Sequence, residues 1–239
     1  MIILAADTST SILSVAVCQD GRVLAETATA CGRAHSERLM DTVGWVLRES
    51  GLELGQIEAL AISSGPGSFT GLRVGAAAFK GLALALQAKG RGVPLVSVPT
   101  LDAMVRGGLL LNGHVCVMLD ARMREVFTAA YRVQNGVRIK LTSDRVCGLA
   151  EALEPVMGEC DVLFLGDGAI LYEDAIRRHM PGAVFAPETF SIPRAAAVAD
   201  EALARLASGD NADPRAMSPV YLRKSQAEIA REVKQAAQA

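Results

Sequence analysis

Two aspartates stand at matching places in the chain. Asp7 closes the apolar run 2–6 and Asp120 closes the run 115–119. Carboxylates at strand tips are candidates for chemistry, but what this pair points to first, by its matching placement 113 residues apart, is one duplicated unit. The second candidate is the stretch 63–75, SSGPGSFTGLRVG, set between an apolar run and an alanine-rich one. Strand, glycine loop and helix in that order commonly frame bound phosphate. Neither standard pattern is met, however. The lysine and hydroxyl that a P-loop needs after its last glycine are replaced by Leu72 and Arg73, and the dinucleotide spacing fails because Thr70 occupies its third glycine position. What stays open there is an anion held by amides near Thr70 with help from Arg73.

Metal and thiol chemistry find less support. His35, His114 and His179 lack neighbouring ligands at metal-binding spacing. Cys18, Cys31, Cys116, Cys147 and Cys160 are odd in number and contain no C-x-x-C pair, so they read as reduced thiols, mostly in the core.

The elements that must carry these residues are written twice. The first strand, a second strand 12–18, the Asp20-Gly21 turn and a third strand 22–28 recur as 115–119, 126–133, Asn135-Gly136 and 137–141. Asp-Gly and Asn-Gly between apolar runs are hairpin turns. The remainder of the first half reads as a helix over 36–50 stopped by Gly51, a strand over 57–63, a helix over 70–89 and an edge strand over 93–98. The second half continues with a strand at 162–165, a turn at 166–168, and helices at 171–179 and 194–207. This predicts two α/β lobes with mixed sheets and flanking helices: 1–105 as the N-terminal lobe, 106–216 as a smaller C-terminal lobe, and 217–239 as a segment either helical and packed back or frayed.

Composition narrows the classes. No uninterrupted apolar run approaches the roughly 20 residues of a membrane span, and the N-terminus carries no export pattern, so the cytoplasm is the expected compartment. A formal net charge of -2 gives no general pull on nucleic acid, although Arg215, Arg223, Lys224, Arg231 and Lys234 make the end of the chain locally basic. In the helix after the glycine loop, Gly71, Gly75, Ala78, Leu82 and Ala85 recur at intervals of three and four. That predicts a flat face for close helix packing, within the chain or with another, to offset helix-interior glycines that cost about 1 kcal/mol each. Trp45 lies off the Leu39, Val43, Val46 stripe, as an interface anchor or a cover for the core edge.

ILAADTSTSILSVAV, RAHSERLM, SSGPGSFTGLRVG, VPTLDAM, LDARMREVF and PVYLR, in this order, resemble the TsaB family, also called YeaZ, over nearly the whole chain. The resemblance implies the duplicated actin-like fold shared with sugar kinases and the Hsp70 ATPase. It implies a non-catalytic activating subunit that binds TsaD as a heterodimer, with TsaE in a larger complex and tRNA contacted indirectly. The reaction served is threonylcarbamoyl transfer to the adenosine next to the anticodon of ANN-decoding tRNAs, with ATP and metal on the partner subunits and no cofactor or metal on this chain. The pairing surface it implies comprises His35, Leu39, Met40, Val43, Trp45 and Val46 on the first helix, with Thr70, Gly71, Arg73, Val74, Gly75, Ala78, Phe79 and Leu82 on the second. The same face is expected to form a homodimer when the chain is alone, and Gly75→Arg is expected to abolish pairing with the fold intact. Asp7, Asp120, Gly166 and Gly168 would then outline a vestigial nucleotide cleft, its glycine-free turn 8–11 ill suited to close phosphate approach. The alternatives are an autonomous ATPase or kinase of that fold using Asp7 and Asp120, and a peptidase, for which neither a metal pair nor a nucleophile with its base is found.

Overall fold

The computed structural model describes residues 1–32, 34–108, 112–210 and 213–223. Strands β1 (Ile2–Asp7), β2 (Ile12–Gln19) and β3 (Arg22–Ala30) form an antiparallel meander, followed by helix α1 (His35–Ser50), strand β4 (Ala59–Gly65), helix α2 (Phe69–Ala88) and strand β5 (Leu95–Pro99). The sheet order is β3-β2-β1-β4-β5, with β4 and β5 parallel to β1 and β5 at the edge. After helix α3 (Thr100–Met104) the plan repeats. Strands β6 (Gly113–Arg122), β7 (Glu125–Gln134) and β8 (Val137–Lys140) form the second meander, and β10 (Leu163–Leu165) and β11 (Val184–Phe185) add in parallel beside β6. The second sheet therefore has the first sheet's order, with short β9 (Arg145–Gly148) paired to β7 as its addition. Both hairpin turns use left-handed backbone, Asp20 and Gly21 at φ 51 and 80°, Asn135 and Gly136 at φ 51 and 75°, as a two-residue turn between twisted strands requires.

Alternation along β1 divides the packing. Leu4 and Ala6 face the helix pair through Leu39, Val43 and Val46 of α1 and Phe79, Leu82 and Leu86 of α2. Ile3 and Ala5, with Ala16, Ala59 and Ala61, face helix α7 (Ala195–Ala207), whose Ala195, Ala199 and Ala202 can lie close on such small side chains. In the second lobe, Cys116, Met118 and Phe164 are covered by helices α4 (Leu149–Leu153), α5 (Asp167–Leu171) and α6 (Glu173–His179). The opposite face, Val115, Val117 and Tyr131, packs on Leu101 and Met104 of α3. Helix α7 belongs with the first sheet, which corrects the grouping of residues 106–216 as one lobe. Periodicity makes α7 amphipathic, but it cannot say which sheet offers the small residues that fit it.

By length and composition α2 is apolar enough to cross a membrane, which the uninterrupted runs do not announce because Arg73 and Lys80 divide it; here its inward face lies on β4. Cys18, Cys116 and Cys147 are buried free thiols, as the core reading expects, and burial pushes the thiols of Cys18 and Cys116 up to about 12.

Candidate functional site

The turn between β1 and β2 lies at the centre of the first lobe. Asp7 is fully buried, and one carboxylate oxygen accepts the Ser9 N–H at 2.9 Å and the Ser9 hydroxyl at 2.8 Å. Its other oxygen has no partner among the described residues, and burial raises the carboxyl above its ordinary range. The Thr8 N–H reaches the Ser63 hydroxyl at 3.4 Å, and the Ser9 carbonyl accepts the Ser68 N–H. The glycines of the loop are explained by this turn. A Cβ on Gly71 would overlap the Thr8 carbonyl, one on Gly67 the Ser9 carbonyl, and one on Gly75 the Thr8 side chain. Gly71 N–H is itself taken by the Ser68 hydroxyl, the N-cap of α2, at 3.2 Å.

The second lobe repeats the device. Asp120 Oδ1 accepts the Arg122 N–H at 2.8 Å, as Asp7 accepts Ser9, and Asp167 accepts the Asp120 N–H at 2.9 Å. Desolvation is the main cause that holds the Asp167 carboxyl above its usual range. Gly166 and Gly168 carry α5 against β6, where a Cβ on Gly168 would stand 2.8 Å from the Leu119 carbonyl carbon.

Between these turns lies a cleft of about 740 Å³, lined by Ser9, Thr10, Ser11, Ser68, Asp120, Arg122 and Asp167 together with Phe69, Phe127 and the segment 220–223. Asp120 lines it as the duplicated plan expects. Asp7, Gly166 and Gly168 do not: they sit behind the lining, packed into their own lobes. Six amides around the cleft, those of Thr8, Ser9, Ser68, Gly71, Asp120 and Arg122, are already donated to Ser63, Asp7, Ser9, Ser68, Asp167 and Asp120. Among the described residues, no three His, Cys, Asp or Glu side chains converge as metal ligands.

The helices α1 and α2 divide the sequence-derived pairing surface in two. Leu39, Val43, Val46, Phe79 and Leu82 are buried in the first core, Gly71 and Gly75 are buried against Thr8, and His35 is buried with no partner for its Nε2 among the described residues. They are corrected from partner contacts to internal packing, because an apolar stripe of helical period seeks its own sheet first. Met40, Trp45, Thr70 and Arg73 do face outward, and Val74 and Ala78 are half-buried. The outward stripe also holds Ala77, Gly81 and Leu84, which sequence reading missed as a surface, and Ala85, which it had placed on the flat face. The signal was Gly81: a Cβ there would meet nothing within 4 Å, so among the described residues no internal packing accounts for this glycine. Leu84 is 57% exposed, Met40 48% and Trp45 41%, large apolar side chains presented by neighbouring helices.

A family model described as TsaD, tRNA N6-adenosine threonylcarbamoyltransferase, matches residues 24–231. The protein named tRNA threonylcarbamoyladenosine biosynthesis protein TsaB of Escherichia coli (strain K12) is 44% identical over 57% of this chain; the matched span is 58% of that relative's length. Its namesake in Haemophilus influenzae is 30% identical over 92% of this chain and 93% of its own. A solved Pseudomonas aeruginosa structure, described as similar to peptidase YeaZ, superposes with TM-score 0.78 at 30% identity, covering 93% of this chain and 99% of that one. Component A of the Acidaminococcus fermentans (R)-2-hydroxyglutaryl-CoA dehydratase shares the fold alone, with TM-score 0.51 at 11% identity.

Proposed function

Since the chain belongs to the TsaB (YeaZ) family, whose named members serve tRNA threonylcarbamoyladenosine biosynthesis, we propose that it is a non-catalytic subunit that binds and activates a TsaD-type transferase. The observation that carries the non-catalytic part is the occupation of the turn amides. A phosphate entering between Ser9 and Asp120 would find those donors satisfied by protein acceptors, and the Asp120 carboxylate engaged by Arg122 at 3.0 Å. The pairing surface is the outer stripe of α1 and α2: Met40 and Trp45 supply apolar area, and Ala77 and Gly81 let a partner helix approach closely. A partner with higher affinity for one state of TsaD shifts it toward that state, so chemistry, ATP and metal stay on the other subunits. In this reading TsaE joins the larger assembly, tRNA is reached through TsaD, the site of action is the cytoplasm, and the stripe pairs two copies when TsaD is absent.

The test is modification of tRNA by purified TsaD from the same organism, with and without this chain, alongside their co-purification. Activity that requires the chain, and is lost with Gly81→Arg, supports the proposal. Full activity without it, together with ATP hydrolysis by this chain alone, would replace it with the autonomous ATPase reading.

A further inference from the structure

The last described segment turns back across the cleft mouth. Met217 is buried in the first core, and the Val220 N–H then donates to the carbonyl of Ser64, near the end of β4, at 2.7 Å. Gly65 makes room for it, since a Cβ there would stand 2.6 Å from the Val220 carbonyl oxygen. The Tyr221 ring packs on Phe69 with centroids 4.6 Å apart, and its hydroxyl accepts the Arg73 Nε–H at 2.9 Å while the guanidinium lies 3.7 Å over Phe69. Two residues later Arg223 reaches the other lobe. It donates to the Ala121 carbonyl at 3.1 Å and pairs with Glu125.

What Arg223 grips is itself under strain. Arg122, Met123 and Arg124 are consecutive non-glycine residues in left-handed backbone, at φ 63, 54 and 63°, a conformation that L side chains hold only when their surroundings impose it. The Asp120 carboxylate braces this turn from within and Arg223 from the strap. Tyr221 is 39% exposed, and Leu222 and Arg223 are only half-buried, so releasing the strap beyond Met217 leaves both cores covered.

We propose that residues 218–223 form a releasable latch that sets how far the two lobes open, with Tyr221 its catch on the first lobe and Arg223 its catch on the second. The latch does not depend on the pairing reading. Arg73, however, belongs both to the latch and to the outward stripe of α2, so a ligand that engages Arg73 from outside competes with Tyr221 and loosens the strap.

Hydrogen exchange and small-angle scattering of the full chain, wild type against Arg223→Glu and Tyr221→Ala, test this. Either variant is expected to speed exchange by about tenfold at both rims, residues 64–69 and 121–126, and to raise the radius of gyration. Adding Glu125→Arg to Arg223→Glu should restore both readings in part, through the ion pair but not the bond to the Ala121 carbonyl, while leaving Tyr221→Ala unaffected. Faster exchange confined to 217–223, with both rims and the radius unchanged, would make the strap a passive tail and overturn the latch. Failure of the charge exchange to restore any of the wild-type pattern would overturn the assignment of Arg223 as a catch.

Discussion

Two glycines of one helix play opposite parts. Gly71 lies where any side chain would collide with the Thr8 carbonyl, and Gly81 lies where a side chain meets open space. Gly71→Ala is therefore expected to lower unfolding free energy by about 1–3 kcal/mol, through overpacking against backbone that cannot yield. Gly81→Ala should raise it by about 0.5–1 kcal/mol, through helix propensity alone. Denaturant titration of the two variants checks both signs. The same geometry reverses the expectation for Gly75→Arg: its bulk would land on Thr8 and Ile62 inside the lobe, so it should unfold the chain instead of sparing the fold. Asp7 gives a pH signature. Its folded carboxyl is raised by burial, so its contribution is most favourable below the ordinary carboxylate range and is lost as pH rises through the folded value. Asp7→Asn keeps an acceptor for Ser9 without the charge. Its stability relative to wild type should climb as pH rises from below the ordinary carboxylate range, and a flat difference would contradict the assignment.

At the scale of the element, α1 and α2 each carry two stripes with separate work. The inner stripes close the first core, so truncating Leu39 or Phe79 should cost about 2–5 kcal/mol and abolish function only through unfolding. The outer stripe tolerates change. Gly81→Arg and Trp45→Ala should keep the wild-type melting temperature yet weaken association with TsaD at least about tenfold, the scale of a central interface residue. Calorimetric titration beside thermal melts separates the two stripes: variants of the inner one must lower the melting temperature, and variants of the outer one must not.

The whole molecule is joined by charge as well as by apolar packing. Between the lobes, Asp102 of α3 accepts the Tyr131 hydroxyl and the Lys140 ammonium, both at 2.8 Å, and Arg138 of β8 forks onto Glu201 of α7 with two bonds of 2.6 Å. Arg205 completes the group, 3.3 Å from Glu201 and 3.5 Å from Asp102. Arg138→Ala would leave the Glu201 carboxylate, whose side chain is 4% exposed, with only Arg205 and Arg106 among the described residues; a loss of about 1–3 kcal/mol is expected by calorimetry. Desolvation alone would raise the Asp102 carboxyl, but Lys140 and Tyr131 outweigh it and hold the group below its usual range. Its stabilisation is thus present above the ordinary carboxylate pKa and is lost as pH falls through the lower folded value. The gap between wild type and Asp102→Asn should close on acidification toward pH 2, the reverse of the Asp7 behaviour.

Much of this was legible in the residues. Local signals decided the elements: Asp20-Gly21 and Asn135-Gly136 set the two hairpins, Gly51 ended α1, and the repeat of Asp7 as Asp120 announced the duplicated sheet, because turn chemistry and strand period act over a few neighbours. The ordered motifs pointed to the family that the relatives show. Most of the basic segment past Arg215, namely Lys224, Arg231 and Lys234, lies outside the described residues. Tertiary structure alone decided the rest. Gly75 and Gly81 have the same sequence signature, and only the distance to Thr8 tells the inner one from the outer one. His35, which the resemblance placed on the pairing surface, is buried. The Asp102 and Glu201 cluster joins residues far apart in the chain, and the strap from Val220 to Ser64 joins residues 156 positions apart. Sequence spacing carries periodicity along one element, whereas which faces meet is fixed by packing among all of them.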